Sequence, residues 1–259
     1  MKKFAFITKK DEKSHAIQDQ IQASLLNANW ELDKENPQLV FSIGGDGTLL
    51  YGVHHYLDCL DDIMFVGIHT GTLGFFTDYT EDEVEQCIQD VLNHEPRINT
   101  SQLLQIDVIG KETISIYALN EMRIENVIKT QTLDIYVDDE YFETCRGTGV
   151  CLSTQAGSTA YNRSLRGAVI DNGLSILQLC EITGIQHTLY RSLGVPYILK
   201  DNRVVAFTSH EFDEALLCYD HLHIKLKDTN KVICRLSDKK VHFARYRPYS
   251  YLKRLKNLY

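Results

Sequence analysis

The chain has 259 residues, room for two compact domains or one large one. Its 44% apolar and 24% charged residues describe an ordinary globular protein and exclude a disordered one. A formal net charge of −8 excludes a general affinity for nucleic acid or anionic membranes, while leaving space for a local basic pocket.

Residues 4–8, a short apolar run, read as a buried first strand; Lys9, Lys10 and Asp11 end it too soon for a signal peptide. No stretch approaches the ~20 apolar residues of a membrane span. Ile17, Ile21, Leu25 and Leu26 have helical spacing, with Ser14 as the expected N-cap. Residues 39–43 form a β-rich run that ends in glycines, and a helix is expected from Thr48 to about Leu60. Residues 64–68 are the next strand, leaving through the glycine-rich loop 69–74. Thr80 and Glu83 have capping-box spacing ahead of a helix whose face carries Val84, Ile88, Val91 and Leu92. Alternation of this kind predicts a parallel sheet covered by helices.

After about Thr100 the texture changes. Residues 104–108, 114–117 and 133–137 alternate apolar and polar side chains, as half-buried strands do. Asp138-Asp139-Glu140 is a hairpin connection, and further strands are expected at 204–208, 216–219, 222–226 and 232–236. One helical interval is expected at 175–182. The expected fold is therefore an α/β N-terminal domain with a parallel sheet over residues 1–100, then an all-β sandwich over 101–245. The seven cysteines are odd in number and lack a Cys-x-x-Cys pair, which suits reduced thiols in a cytoplasmic protein. His221-x-His223 has no evident carboxylate or cysteine partner, so no metal ligand is assigned.

The string Gly44-Gly45-Asp46-Gly47-Thr48 sits where a buried strand becomes a helix. Glycines let a phosphate approach the main chain, and the N–H groups of the helix start then face an anion. A carboxylate there would repel phosphate unless it accepts a proton from an attacking hydroxyl or holds Mg²⁺. Either role points to phosphoryl transfer. The lysine of a Walker loop is absent, and so is the dehydrogenase Gly-x-Gly-x-x-Gly. A second dense stretch runs from Arg146 to Asn162, rich in Gly, Ser and Thr, and offers backbone donors and hydroxyls to a polar ligand. Upstream, Asn120-Glu121 supplies an amide suited to a base edge and a carboxylate suited to ribose hydroxyls. Each element alone also fits a plain loop.

In this order the motifs resemble the NAD kinase family, in particular the short Gram-positive type. They are Gly44-Gly45-Asp46-Gly47, His69-Thr70-Gly71-Thr72-Leu73-Gly74-Phe75, Asn120-Glu121, Gly157-Ser158-Thr159-Ala160-Tyr161, Asp220-His221-Leu222 and Val241-His242-Phe243-Ala244-Arg245. The resemblance implies phosphorylation of the 2′-hydroxyl of NAD's adenosine ribose by ATP or another donor, giving NADP. It implies Mg²⁺ or another divalent cation with ATP as co-substrate, a homo-oligomer (commonly a tetramer), and a tail over 246–259 that returns to the first domain. By the same carry-over Asp46 is the base or orienting carboxylate, within a phosphate loop of Gly44, Gly45, Gly47 and Thr48. Asn120 and Glu121 bind adenosine and its ribose. Arg146, Thr148, Ser158, Thr159, Ala160, Tyr161, Asn162, Arg163 and Ser164 complete the nucleotide pocket, with Thr183 on a neighbouring wall. Phe75 offers an aromatic face or is a core aromatic; His221 reaches phosphate or nicotinamide or is a surface histidine.

Three positions depart from the family pattern. Thr148 replaces the usual Asp of Gly-Asp-Gly, Gln155-Ala156 replaces Pro followed by Thr or Ser, and residues 165–168 modify a Gly-Gly-Pro-like turn. Two rival readings stay open on the residues alone. Lipid and sugar kinases share the Gly-Gly-Asp-Gly loop, and Thr148 suits a sensor that binds dinucleotide without reacting.

Overall fold

The computed structural model describes residues 2–71, 74–186 and 191–258. Thr72 and Leu73 of the 69–75 motif lie outside the described residues. The chain divides into two compact units, one of residues 1–100 with 239–259 and one of residues 101–238. The strand Thr229–Arg245 is covalently common to both.

The first unit carries a parallel sheet in the order Glu31–Leu32, Lys3–Thr8, Leu39–Ile43, Met64–His69, extended by Phe243 beside Phe65. All five residues of Leu39–Ile43 are buried, as a central strand covered on both faces requires. On one face Ile17, Ile21 and Leu25 of the helix Glu12–Asn27 join Val84, Cys87, Ile88 and Val91 around Phe4, Phe41 and Val66. Phe4 and Phe41 are fully buried, each contributing about 2 kcal/mol of hydrophobic stabilisation. The opposite face receives the helix Asp46–His55, where Gly52 allows close approach to Ile7 and Phe65. Thr80 and Glu83 form the expected capping box.

Two local expectations are corrected. Asp11, in extended backbone, is the N-cap of Glu12–Asn27 and accepts from the Ser14 amide at 2.8 Å. Ser14 lies inside the first turn, where its hydroxyl meets Thr70 Oγ1. The second helix begins at Asp46, because Gly45 is its extended N-cap, and it ends at His55 before a 3₁₀ segment, Leu57–Asp62.

The second unit is antiparallel throughout. One sheet orders Tyr197–Lys200, Ile176–Ile182, Gly149–Thr154, Glu121–Glu125, Leu216–Tyr219, Leu222–Lys225. Strands Glu140–Gly147, Gln131–Val137, Val205–Thr208 and Thr229–Arg245 pair in sequence in another, and Arg97–Gly110 pairs with Thr113–Ala118. Both sheets feed one core: Met122, Ile124, Leu152, Leu177 and Leu179 from the first meet Leu104, Ile106, Leu133, Ile135 and Phe207. That is a sandwich. The hairpin at Asp138 and Asp139 has positive φ at both residues (51° and 65°), the form that matches strand twist. The helix expected at 175–182 is instead the strand Ile176–Ile182. Leu177 and Leu179 face the core, and pairing on both sides outweighs a run that also fits helical spacing.

Candidate active site

In the first unit, Gly44 and Gly45 end a strand and Asp46 opens a helix. Gly44 has φ 153° and sits against Thr48, whose hydroxyl a Cβ on residue 44 would strike. Gly45 and Gly47 are exposed, and no atom lies within 4 Å of where their Cβ atoms would be. The first turn is therefore open, with N–H groups and the helix dipole available to an anion.

The Asp46 carboxylate is held in place. Oδ2 accepts the Phe75 amide at 2.9 Å and Oδ1 accepts the Phe76 amide at 3.1 Å. Burial pushes its pKa up, while the two amides and the charges of Arg254 and Arg245 pull it down. An oriented carboxylate with a raised pKa is a better proton acceptor than a solvated one. Gly74 makes the arrangement possible, since a Cβ there would overlap the carboxylate.

The segment that supplies those amides is fastened from the C-terminal residues. Tyr249 donates its hydroxyl to Phe75 O at 3.2 Å. Arg254 donates to Thr77 O at 2.6 Å and to Asp78 Oδ1 at 2.9 Å; Arg245 donates to Asp78 Oδ2 at 2.6 Å. All three charged residues are buried, and both guanidiniums stack on the Tyr249 ring. Phe75 is half-buried, its ring edge on Tyr251 at 5.8 Å.

In the second unit, the strand Glu121–Glu125 alternates. Met122 and Ile124 enter the core, so Glu121, Arg123 and Glu125 share the opposite face. Ser153 and Cys151 pair beside Glu121 and Arg123, and Cys218 pairs beside Arg123 from the other neighbour. Tyr161 and Leu165 pack on Cys151, Cys180 and Ile182.

Asn120 and Glu121 are buried, with Asn120 Oδ1 and Glu121 Oε2 accepting no hydrogen bond among the described residues. Buried acceptors without partners are expected where a ligand supplies the donors. The Asp220 carboxylate receives the amides of Leu119 and Asn120 at 2.8 and 2.7 Å. Thr154 binds Asn120 O through its amide and hydroxyl, and Gly157 lies so close to that carbonyl that no Cβ fits. Burial first, and then the Asp220 charge, push the Glu121 pKa up to about 7; Arg123 and the Tyr161 amide oppose them.

The 157–164 stretch divides its labour. Ser158 and Asn162 are fully buried and bond internally: Ser158 Oγ accepts the Ile170 amide, and the Asn162 amide group meets Ser158 O, Ala168 O and Cys180 Sγ. Thr159, Ala160 and Tyr161 are half-buried, while Arg163 and Ser164 are exposed. Arg146 and Thr148 are half-buried; Thr183, at φ 53°, and His221 are exposed. Thr148 is anchored through its main chain, donating to Ile182 O and accepting from Asn126 and Gln131. Gln155 donates to Ile170 O at 3.1 Å, which gives this departure from the family pattern a structural role.

No motif reaches Phe76, Tyr249, Arg254, Arg123 or Glu125, and Gly74 enters only within the 69–75 motif. Arg245 and Asp220 entered only as motif members. The Glu-x-Arg-x-Glu alternation at 121–125 was the one visible signal, since charge on the outer face of a half-buried strand is otherwise unremarked.

Two family models match the chain: the ATP-NAD kinase N-terminal domain over residues 3–96 and the ATP-NAD kinase C-terminal domain over residues 119–246. NAD kinase 1 of Bacillus subtilis is 37% identical over 258 residues, covering 98% of this chain and 97% of its own. An NAD kinase of Staphylococcus epidermidis is 38% identical over 259 residues, covering 98% and 96%. Among solved structures, yeast NADH kinase complexed with NADH aligns at TM-score 0.82 and 16% identity, covering 99% of this chain and 86% of that one. An NAD kinase from Archaeoglobus fulgidus in complex with ATP aligns at TM-score 0.76 and 20% identity, covering 99% and 96%. The last two show a shared fold.

Proposed function

The chain belongs to the ATP-NAD kinase family, and we propose that Asp46 takes the proton from the 2′-hydroxyl of NAD's adenosine ribose. The enzyme is an NAD kinase, converting NAD to NADP with ATP as donor. The observation that carries the assignment is the Asp46 carboxylate itself, oriented by the Phe75 and Phe76 amides and raised in pKa by burial. The glycine loop and helix start receive the γ-phosphate, so that positioning and charge neutralisation supply most of the rate. Asn120 and Glu121 bind the adenosine, with Tyr161 beside them; Thr159, Ala160, Arg163, Ser164, Arg146, Thr148, Thr183 and His221 are the further nucleotide contacts. Ser158 and Asn162 serve that pocket through their internal bonds.

A divalent cation accompanies the triphosphate. No group of three or more His, Cys, Asp or Glu side chains that could hold a metal ion occurs among the described residues. Phosphate oxygens would supply most of the ligands of such a cation, and Asp46 would be the protein carboxylate offered by the glycine loop. The cation would neutralise charge on the phosphates. The thiols are free, and no helix among the described residues is long and apolar enough to cross a membrane; a cytoplasmic homotetramer is the state that the family resemblance implies. NADP formation from NAD and ATP, run beside NADH and polyphosphate, tests the activity. NAD binding by calorimetry with no NADP formed would favour the sensor instead.

A further inference from the structure

Arg123 touches Glu125 and Tyr161 on the face that also carries Glu121. Its Nη1 donates to Glu125 Oε1 at 2.9 Å. Its guanidinium lies over the Tyr161 ring, 4.0 Å from the centroid, a cation–π contact. Its alternation along the strand sets it on the same face as Glu121, two residues away, or about 6.6 Å of strand rise. The side chain is 19% exposed and that of Glu125 11%, so the pair acts in a medium where charge is weakly screened.

We propose that Arg123 is a positioning residue for nucleotide binding: held by Glu125, it backs the Tyr161 ring and gives Glu121 the positive neighbour that keeps its carboxylate able to accept ribose hydroxyls. The inference rests on the assignment of Glu121 to the nucleotide. Glu121 has negative neighbours in Asp220, from the turn after Leu216–Tyr219, and in Glu125 on its own strand. It faces the Cys151 thiol from the adjoining strand and the Tyr161 amide from the covering segment. Arg123 opposes the two carboxylates, and the ionised form of Glu121 is the stronger acceptor.

The test is the NAD dissociation constant, measured by calorimetry without ATP on either side of pH 7, for the whole enzyme and its variants. Glu121→Gln should weaken binding and abolish its pH dependence. Arg123→Met should move the pH at which binding strengthens upward by about half a unit or more. Glu125→Gln, removing a negative neighbour, should move it downward. Arg123→Lys, keeping the charge but losing the planar fork, should leave the midpoint near wild type while weakening binding a few-fold, about 3-fold. An unmoved midpoint in Arg123→Met, or a shift of the same sign in Arg123→Met and Glu125→Gln, overturns the proposal. If Arg123→Met does not fold, the sign of the Glu125→Gln shift decides. A Glu121→Gln enzyme that binds NAD with wild-type affinity and pH dependence instead overturns the assignment of Glu121, whatever Arg123 does.

Discussion

Gly74 approaches the Asp46 carboxylate so closely that a Cβ on residue 74 would take the space of its oxygens. Gly74→Ala must therefore push the carboxylate off the Phe75 and Phe76 amides. Because the displaced atoms end a flexible side chain, the fold should tolerate the change. Turnover should fall on the order of 10²-fold, the usual result of a misplacement near 1 Å. Steady-state rates beside a thermal unfolding scan check this; an enzyme of wild-type rate would refute the tight fit.

Asp46→Asn should lower turnover by about 10³-fold or more while NAD binding stays within a few-fold of wild type. In the native enzyme the rate should fall as pH drops through the Asp46 pKa, because the base works ionised. Burial sets that fall at a higher pH than an ordinary aspartate would give. The pH profile of kcat at saturating substrates is the measurement.

Arg254→Met removes a donor to Thr77 O and one of two guanidiniums on Asp78. Breaking a buried pair of this kind costs about 3 kcal/mol. The urea midpoint should drop, and turnover with it, since residues 75–78 hold the Asp46 amide donors. Loss of stability with unchanged turnover would separate the tail from the carboxylate.

Glu121 carries a stability consequence of definite sign. Its folded pKa of about 7 exceeds the ordinary 4.5, so the folded state holds the proton more tightly. The associated stability is full below about pH 4.5 and is lost as pH rises through about 7. A rise from 4.5 to about 7 corresponds to roughly 3 kcal/mol. Ligand-free Glu121→Gln should thus be more stable than wild type above pH 7 and nearly equal to it at low pH. Urea unfolding at both pH values tests this, and a uniform offset would contradict it.

Thr148→Asp restores the charged acceptor of the family pattern at a position whose main-chain bonds remain intact. A charge-assisted bond there is worth about 1.5–3 kcal/mol, so NAD should bind about tenfold to a hundredfold tighter. Calorimetry on the variant decides it.

The glycine loop, the capping box at Thr80 and Glu83, and the alternation of the later strands were legible because each is a local pattern with a local cause. The strand at 176–182 was not, since Ile176, Leu179 and Cys180 have helical spacing while Leu177 and Leu179 alternate as in a strand, and only pairing with two neighbours selects one. Asp11 outcompeted Ser14 as cap through its extended backbone, which the sequence does not display. At the site, Asp46, Asn120 and Glu121 were visible as unusual residue types. Their supports were not: Phe76 acts through its amide, Gly74 through the lack of a side chain, and Arg254 across 176 positions of sequence to Asp78. Main-chain donors and long-range pairs leave no motif.

The unit that holds Asp46 is discontinuous: it takes residues 1–100 and then waits for 239–259. A ribosome delivers Asp46 early, but Phe243, Arg245, Tyr249 and Arg254 emerge only after the whole of 101–238. During synthesis the 101–238 segment therefore has its whole sequence available before the unit encoded first can close. A nascent chain that stops short of residue 239 carries the glycine loop without the anchors of residues 75–78, so the Asp46 carboxylate is fully supported only once residues 239–259 have followed.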